Sequence, residues 1–242
     1  MNSLKGKTAL ITGGSKGIGF GVALALITEG VNVVITGRNE ETIQQVAQQL
    51  QEKGKDGAKA MGVAADVRSY QSQEQAVAAT MEAFGGIDIV VANAGLGHFA
   101  SIDELTIEQW NETIDTNLTG VFYTVKTTLS ALKKSKGYLI TISSLAGTNF
   151  FAKGSAYNAS KFGLTGFTQA AMLDLREHEI KTTTIMPGSV ATYFNNNTPD
   201  ASDDWKIQQE DIGQMVVDLV KMPSRTLPSK VEVRPSFPQK KA

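Results

Sequence analysis

The chain has 242 residues, 41% of them hydrophobic, with 23 glycines, no cysteine and a formal charge of −1. That length can bury one sizeable core, while the near-neutral charge offers no field for nucleic acid or an anionic membrane surface. The lack of cysteine excludes a disulfide framework, a thiolate metal site and a cysteine nucleophile, and it suits a reducing, cytoplasmic setting.

The polar start, through Ser3-Leu4-Lys5-Gly6-Lys7, lacks the apolar stretch of a secretory signal. No later run approaches the ~18 apolar residues of a membrane span. A β-branched strand is predicted over residues 8–12, then a helix over 17–29. A strand at 31–36, a helix at 40–53, a strand at 60–64 and a helix at 69–84 follow. Beyond them come a strand at 87–92, a long helix at 107–133, a strand at 138–143 and a helix at 157–177. The pattern closes with a strand at 182–186, a helix at 210–221 and a short strand at 231–233. Such βαβ alternation predicts an α/β fold, one doubly wound domain over residues 1–242, with a mainly parallel seven-stranded sheet and helices on both faces. Asn, Asp, Thr, Pro and Ser crowd between Asn195 and Asp204, so residues 195–206 read as a short mobile lid. Residues 235–242 read as an extended tail.

Directly after the first strand stands Thr12-Gly13-Gly14-Ser15-Lys16-Gly17-Ile18-Gly19, leading into an apolar helix. Glycines there permit a tight turn and close approach of a ligand, and the helix start offers unpaired amides and a positive dipole end to a pyrophosphate. Gly13, Ser15, Lys16, Gly17, Ile18 and Gly19 are therefore candidate cofactor residues. The second strand ends in Thr36-Gly37-Arg38-Asn39, where an acidic residue would accept from a ribose 2′-hydroxyl. The chain instead offers Arg38, with Lys16 to help, and two cations suit a 2′-phosphate. The expected cofactor is NADP(H), with Arg38 and Asn39 at its ribose.

Tyr157 and Lys161 lie four apart at the start of a predicted helix and share one face. An ammonium beside a phenol favours the phenolate and makes the tyrosine a general acid. The two histidines, His98 and His178, belong to no metal-spaced cluster or serine triad, so no metal site is expected. His98 follows Asn93-Ala94-Gly95 closely and is a candidate for the substrate mouth, with a solvated loop as the alternative.

With these residues in view, the chain resembles the short-chain dehydrogenase/reductase family from about Lys5 to Thr192. The matching pieces are Thr12 to Gly19, Asp66-Val67, Asn93-Ala94-Gly95, Asn117, Ser143-Ser144, Tyr157 to Lys161 and Pro187-Gly188. The resemblance implies a Rossmann fold and a catalytic tetrad of Asn117, Ser144, Tyr157 and Lys161, with Asn117 supporting a water that relays protons to Lys161. It implies that Asp66 meets the adenine amino group and Val67 its ring. It further implies that Asn93, Ala94 and Gly95 approach the adenosine ribose, and that Tyr157 and Lys161 hold the nicotinamide ribose. Pro187, Gly188, Val190 and Thr192 would line the nicotinamide.

Two departures shape the expected substrate. Only residues 189–206 separate Pro187-Gly188 from the last long helix, a short polar lid over an open mouth. Phe150, Phe151, Tyr193 and Phe194 supply aromatic surface around it, so a bulky or aromatic small-molecule carbonyl compound is expected. The ending Lys230-Val231-Glu232-Val233-Arg234-Pro235 replaces the glycine-rich finish usual in the fatty-acid ketoreductase branch, which puts an acyl-carrier substrate in doubt. The apolar spread on helix 157–177 exceeds one buried stripe, and relatives associate through this helix and the preceding one, so a homodimer or homotetramer is expected. The expected activity is NADPH-dependent carbonyl reduction, with 3-oxoacyl thioester reduction as the enzymatic alternative. A non-catalytic NADPH-binding sensor or scaffold is the alternative of another class.

Overall fold

A computed structural model describes residues 3–237; the last five residues of the predicted tail lie outside them. The strands are β1 (Thr8–Thr12), β2 (Asn32–Gly37), β3 (Ala60–Ala64), β4 (Ile89–Ala92), β5 (Tyr138–Ile142), β6 (Lys181–Pro187) and β7 (Lys230–Val233). The helices are α1 (Gly17–Ile27), α2 (Glu40–Gln51), α3 (Tyr70–Phe84), α4 (Ile107–Ile114), α5 (Gly120–Ser135), α6 (Ser155–Leu175) and α7 (Gln209–Lys221). The strands form one sheet in the order β3-β2-β1-β4-β5-β6-β7, every pairing parallel.

Both faces of the central strands are covered, which is why they read as continuous apolar runs rather than alternating ones. Ala9, Ile11, Val33 and Ile35 point towards α1, α2 and α7, where Val22, Leu26, Ile43, Leu50, Ile212 and Val216 complete one core. Leu10, Val34, Val90 and Leu139 point the other way, onto Val125 and Leu132 of α5 and Leu175 of α6. Helices α1 and α7 cross closely because Gly21 and Gly213 face each other. A Cβ on Gly21 would stand 2.4 Å from the Gln209 carbonyl oxygen, and one on Gly213 would stand 2.5 Å from that of Gly21.

The predicted helix at 107–133 is broken. Between α4 and α5, residues Asp115–Thr119 form a π turn, and Asn117 sits fully buried within it. Apolar periodicity cannot register a single wider turn, because the pattern on either side still fits a helix. The stretch after β6 is not featureless either. It carries 3-10 turns at Phe194–Asn196 and Ala201–Asp203 and a parallel bridge between Val190 and Ile207.

Strand order reverses between β1 and β4, which opens a crevice at the carboxyl ends of the sheet. The loops after β1, β2, β4, β5 and β6 all empty into it.

Candidate active site

The crevice is a cleft of about 830 Å³. At its floor, the turn after β1 carries Gly13 at φ +67 and Gly17 at φ +59, a region that disfavours side chains. A Cβ on Gly13 would stand 2.9 Å from the Cα of Ala94, so only glycine lets the turn lie against the end of β4. Lys16 is the N-cap of α1, but its side chain makes no capping bond, and no acidic residue stands in the first turn. Amides at that helix start are thus left for a ligand. Gly13, Ser15, Lys16, Gly17 and Ile18 line the cleft. These residues fit a pyrophosphate.

Gly19 lies behind that wall. Its missing side chain admits the Gly13 carbonyl and the Asn93 amide, which would stand 2.4 and 2.5 Å from a Cβ. Asn93 Nδ2 donates to the carbonyls of Thr12 and Gly13 at 2.9 and 3.0 Å, so Asn93 braces the turn. Arg38 lines the cleft and forms no ion pair among the described residues. Lys16 is directed elsewhere: its ammonium lies 5.6 Å above the Tyr193 ring, on the lid. Asn39 is not on the cleft wall. Its side chain caps α2, accepting from Thr42 N at 2.8 Å.

Asp66, Val67, Ala94 and Gly95 line the cleft on the side of β3 and β4. Asp66 is already engaged. Arg68 Nη2 donates to its Oδ2 at 2.7 Å, and this partner holds the Asp66 carboxyl below the usual carboxylate range. Across the sheet, Pro187, Gly188, Val190, Thr192, Tyr193 and Phe194 form the opposite wall.

Between these walls stand Ser144, Tyr157 and Lys161. The two adjacent serines have separate tasks. Ser143 Oγ bonds to Thr165 Oγ1 at 2.9 Å and to the Lys161 carbonyl at 3.2 Å, tying β5 to α6. Ser144 Oγ accepts from Ala146 N at 3.1 Å, opening a 3-10 turn that turns the residue towards the tyrosine. Lys161 is 5% exposed, and its Nζ donates to the Ile142 carbonyl at 3.0 Å. With no carboxylate against it, burial pushes the Lys161 ammonium down to about 8.

The phenol does not behave as the i,i+4 spacing alone implies. Lys161 Nζ lies 5.7 Å from the Tyr157 ring centroid, and burial, opposed only by the Ser144 hydroxyl, pushes the phenol up rather than down. Desolvation sets the direction, and the ammonium, 5.7 Å from the ring centroid, does not reverse it.

Asn117 reaches the cleft only through its neighbours. Its Oδ1 accepts from Leu96 N at 2.9 Å, and its Nδ2 donates to the Leu96 carbonyl at 2.7 Å and to Ser160 Oγ at 3.0 Å. It thereby fixes the loop after β4. A Cβ on Gly95 would stand 3.2 Å from Asn117 Oδ1, a tight contact, and 3.6 Å from Lys161 Nζ, so both groups lie against this backbone.

The aromatic mouth differs from the sequence expectation. Phe150 is 86% exposed and turned away, and Phe151 is not on the cleft wall. The centre of the cluster is Phe99, with ring centroids 5.4 Å from Tyr157, 6.0 Å from Phe151 and 6.2 Å from Phe194. Phe194 closes the ring at 5.6 Å from Tyr157. His98 lines the cleft and is not simply solvated; its Nε2 is bonded to Glu112 Oε2 at 2.9 Å. Phe99, Arg68 and Glu112 carried no motif, and only their nearness to His98 and Asp66 in the sequence, or a place on α4, hinted at them.

A phenolic proton donor beside a buried ammonium, facing a glycine turn at the switch point, is the equipment of an oxidoreductase. The sequence matches the short chain dehydrogenase family over residues 7–203, and the chain belongs to that family. An uncharacterized oxidoreductase of Staphylococcus saprophyticus is 35% identical over 240 residues, covering 97% of this chain and all of its own. Among solved structures, an alcohol dehydrogenase of Thermococcus sibiricus complexed with 5-hydroxy-NADP superposes with a TM-score of 0.90 at 28% identity, over 98% of this chain and 99% of its own. A 3-ketoacyl-ACP reductase of Sinorhizobium meliloti gives 0.85 at 32% identity, over 94% and 97%. Among the described residues there is no cluster of acidic and histidine side chains that could hold a metal, and no helix long and apolar enough to cross a membrane.

Proposed function

We propose that the protein is an NADPH-dependent carbonyl reductase. The observation that carries this reading is the Tyr157 phenol on the cleft wall, proton in place, beside a buried ammonium that has no anionic partner among the described residues. Bound NADPH supplies the hydride. As the carbonyl carbon is reduced, the electron pair of its double bond moves onto oxygen, and the Tyr157 hydroxyl transfers its proton there. The Ser144 hydroxyl hydrogen-bonds the same oxygen. The phenolate left behind is the negative charge that Lys161 lacks, so the cation stabilises the state after proton transfer more than the state before it.

The preference for NADPH rests on Arg38, a free guanidinium at the end of β2 where no acidic residue stands. The Thermococcus relative was crystallised with an NADP derivative, which agrees with it. A panel of aromatic ketones followed by NADPH oxidation, run beside NADH, tests the reading. Arg38→Asp is expected to weaken NADPH binding about a hundredfold, as loss of a charge-assisted phosphate contact does, and to spare NADH. Equal losses for both coenzymes would remove the assignment.

The similarity to a 3-ketoacyl-ACP reductase keeps an acyl thioester in the panel as the second reading. A cofactor-binding sensor would oxidise no NADPH with any of these compounds. The same reading places the protein in the cytoplasm as a homo-oligomer. Phe122 on α5 and Phe162 and Leu173 on α6 are 43–50% exposed. A shallow apolar groove lined by Phe122, Leu129, Phe167 and Ala171 runs beside them. Light scattering at micromolar concentration is expected to give at least twice the chain mass; a monomer would contradict the interface.

A further inference from the structure

Along one rim of the cleft four side chains are joined in series. Arg68 grips Asp66 through Nη2 at 2.7 Å and Nε at 3.1 Å. Its Nη1 reaches Glu112 Oε1 at 3.4 Å, and Glu112 Oε2 meets His98 Nε2 at 2.9 Å. All four line the cleft, so the series runs from the Asp66 side to the mouth beside Tyr157.

The chemistry of the last link fixes which nitrogen of the imidazole carries a proton. With Arg68 donating to its other oxygen, the Glu112 carboxylate can only accept, so the proton it shares with His98 belongs to Nε2. In the neutral ring Nδ1 is then a bare acceptor. It has no hydrogen-bond partner among the described residues. The position of the ring is fixed from both sides: two residues before it, Leu96 is clamped by Asn117, and the residue after it, Phe99, packs on the Tyr157 ring. His98 and Tyr157 line the same cleft, so a bulky substrate whose carbonyl meets Tyr157 has its remote part in the space that His98 borders.

We infer that His98 is a specificity-determining residue that accepts a hydrogen bond from a hydroxyl or N–H group on the carbonyl substrate, and that Glu112, held by Arg68, is the positioning residue that keeps Nδ1 free to do so. The natural substrate is then an aryl or other bulky ketone bearing a donor remote from the reacting carbonyl. A site built to meet a donor discriminates strongly against analogues that lack it, because its polar group is left unpaired. The inference rests on the carbonyl-reductase reading.

The test compares the ortho-, meta- and para-hydroxy isomers of an aryl ketone with their methoxy counterparts, which resemble them electronically but cannot donate. For the wild type, kcat/KM is expected to favour at least one hydroxy isomer over its methoxy partner about tenfold. That ratio should fall to about one in His98→Phe and shrink in Glu112→Gln, whose amide no longer dictates the tautomer. A general loss of folding would lower both rates and leave the ratio intact. Nitrogen-15 NMR of the wild-type histidines at the assay pH should show the His98 proton on Nε2 and a bare Nδ1. A ratio near one for every pair in the wild type, a preference that survives His98→Phe, or a proton on Nδ1 would each overturn the inference while leaving carbonyl reduction standing. Turnover of none of the ketones would remove both.

Discussion

Tyr157→Phe is expected to lower kcat/KM for a ketone by about a thousandfold or more while changing the Kd for NADPH less than about fivefold. Loss of a general acid costs roughly 10²–10⁴ in rate, and here the same hydroxyl also stabilises charge on the carbonyl oxygen, a second contribution of comparable kind. Phenylalanine keeps the ring and hence its packing on Phe99 and Phe194. What disappears is the proton and the hydrogen bond, not the wall. Burial pushes the phenol up, so in the direction of reduction the acid enters each turnover loaded at neutral pH. Stopped-flow NADPH oxidation gives the rate and fluorescence titration of the coenzyme gives the Kd. Near-normal turnover by the variant would mean that the proton comes from another group, and the assignment of Tyr157 would fall.

How far the sequence could be read depended on whether a property lay in local order or in burial. The alternation of strands and helices, and the turn from Thr12 to Gly19, are local, and they were enough to foresee a parallel seven-stranded sheet with helices on both faces. Whereas Ser144 entered only through the family resemblance, the pairing of Tyr157 with Lys161 was legible for the same reason, one helical turn being enough to align them. The π turn around Asn117 was not, because one extra residue in a turn leaves the apolar pattern intact on both sides. Nor could spacing reveal that burial pushes the phenol up, since desolvation depends on the elements packed around α6. The rim from Asp66 to His98 joins residues 44 apart, Arg68 and Glu112, which only the folded cleft brings within 3.4 Å. Phe99 escaped notice because an aromatic in a loop has no motif; it became the centre of the aromatic cluster packed on Tyr157 while the more conspicuous Phe150 faced outward.

Lys161→Met is expected to remove most of the activity and, at pH 7, to make the protein alone more stable by about 2 kcal/mol. Opposite signs arise because the ammonium is held where function needs it and stability does not. Its displacement from the ordinary 10.5 to about 8 corresponds to a cost of about 3 kcal/mol for burying the charge, at ~1.4 kcal/mol per tenfold change. Methionine fills a similar unbranched volume without charge; the lost hydrogen bond to the Ile142 carbonyl returns about 1 kcal/mol of the gain. The sign with pH follows from which state holds the proton. Below pH 8 the folded and unfolded wild type both carry it, and the full penalty is present. Between pH 8 and 10.5 the folded protein gives up its proton while the unfolded chain keeps it, so wild-type stability rises towards that of the variant. Urea unfolding without added coenzyme, at pH 7 and near pH 10, should therefore show a stabilised variant at the first and a narrowed gap at the second. The wild type's kcat/KM for reduction should fall above about pH 8 as the ammonium is lost, a limb that the variant lacks. A variant less stable than wild type at pH 7 would mean that Lys161 is already paired in the folded protein, and the view of Tyr157 as the acid whose phenolate completes that pair would have to be abandoned.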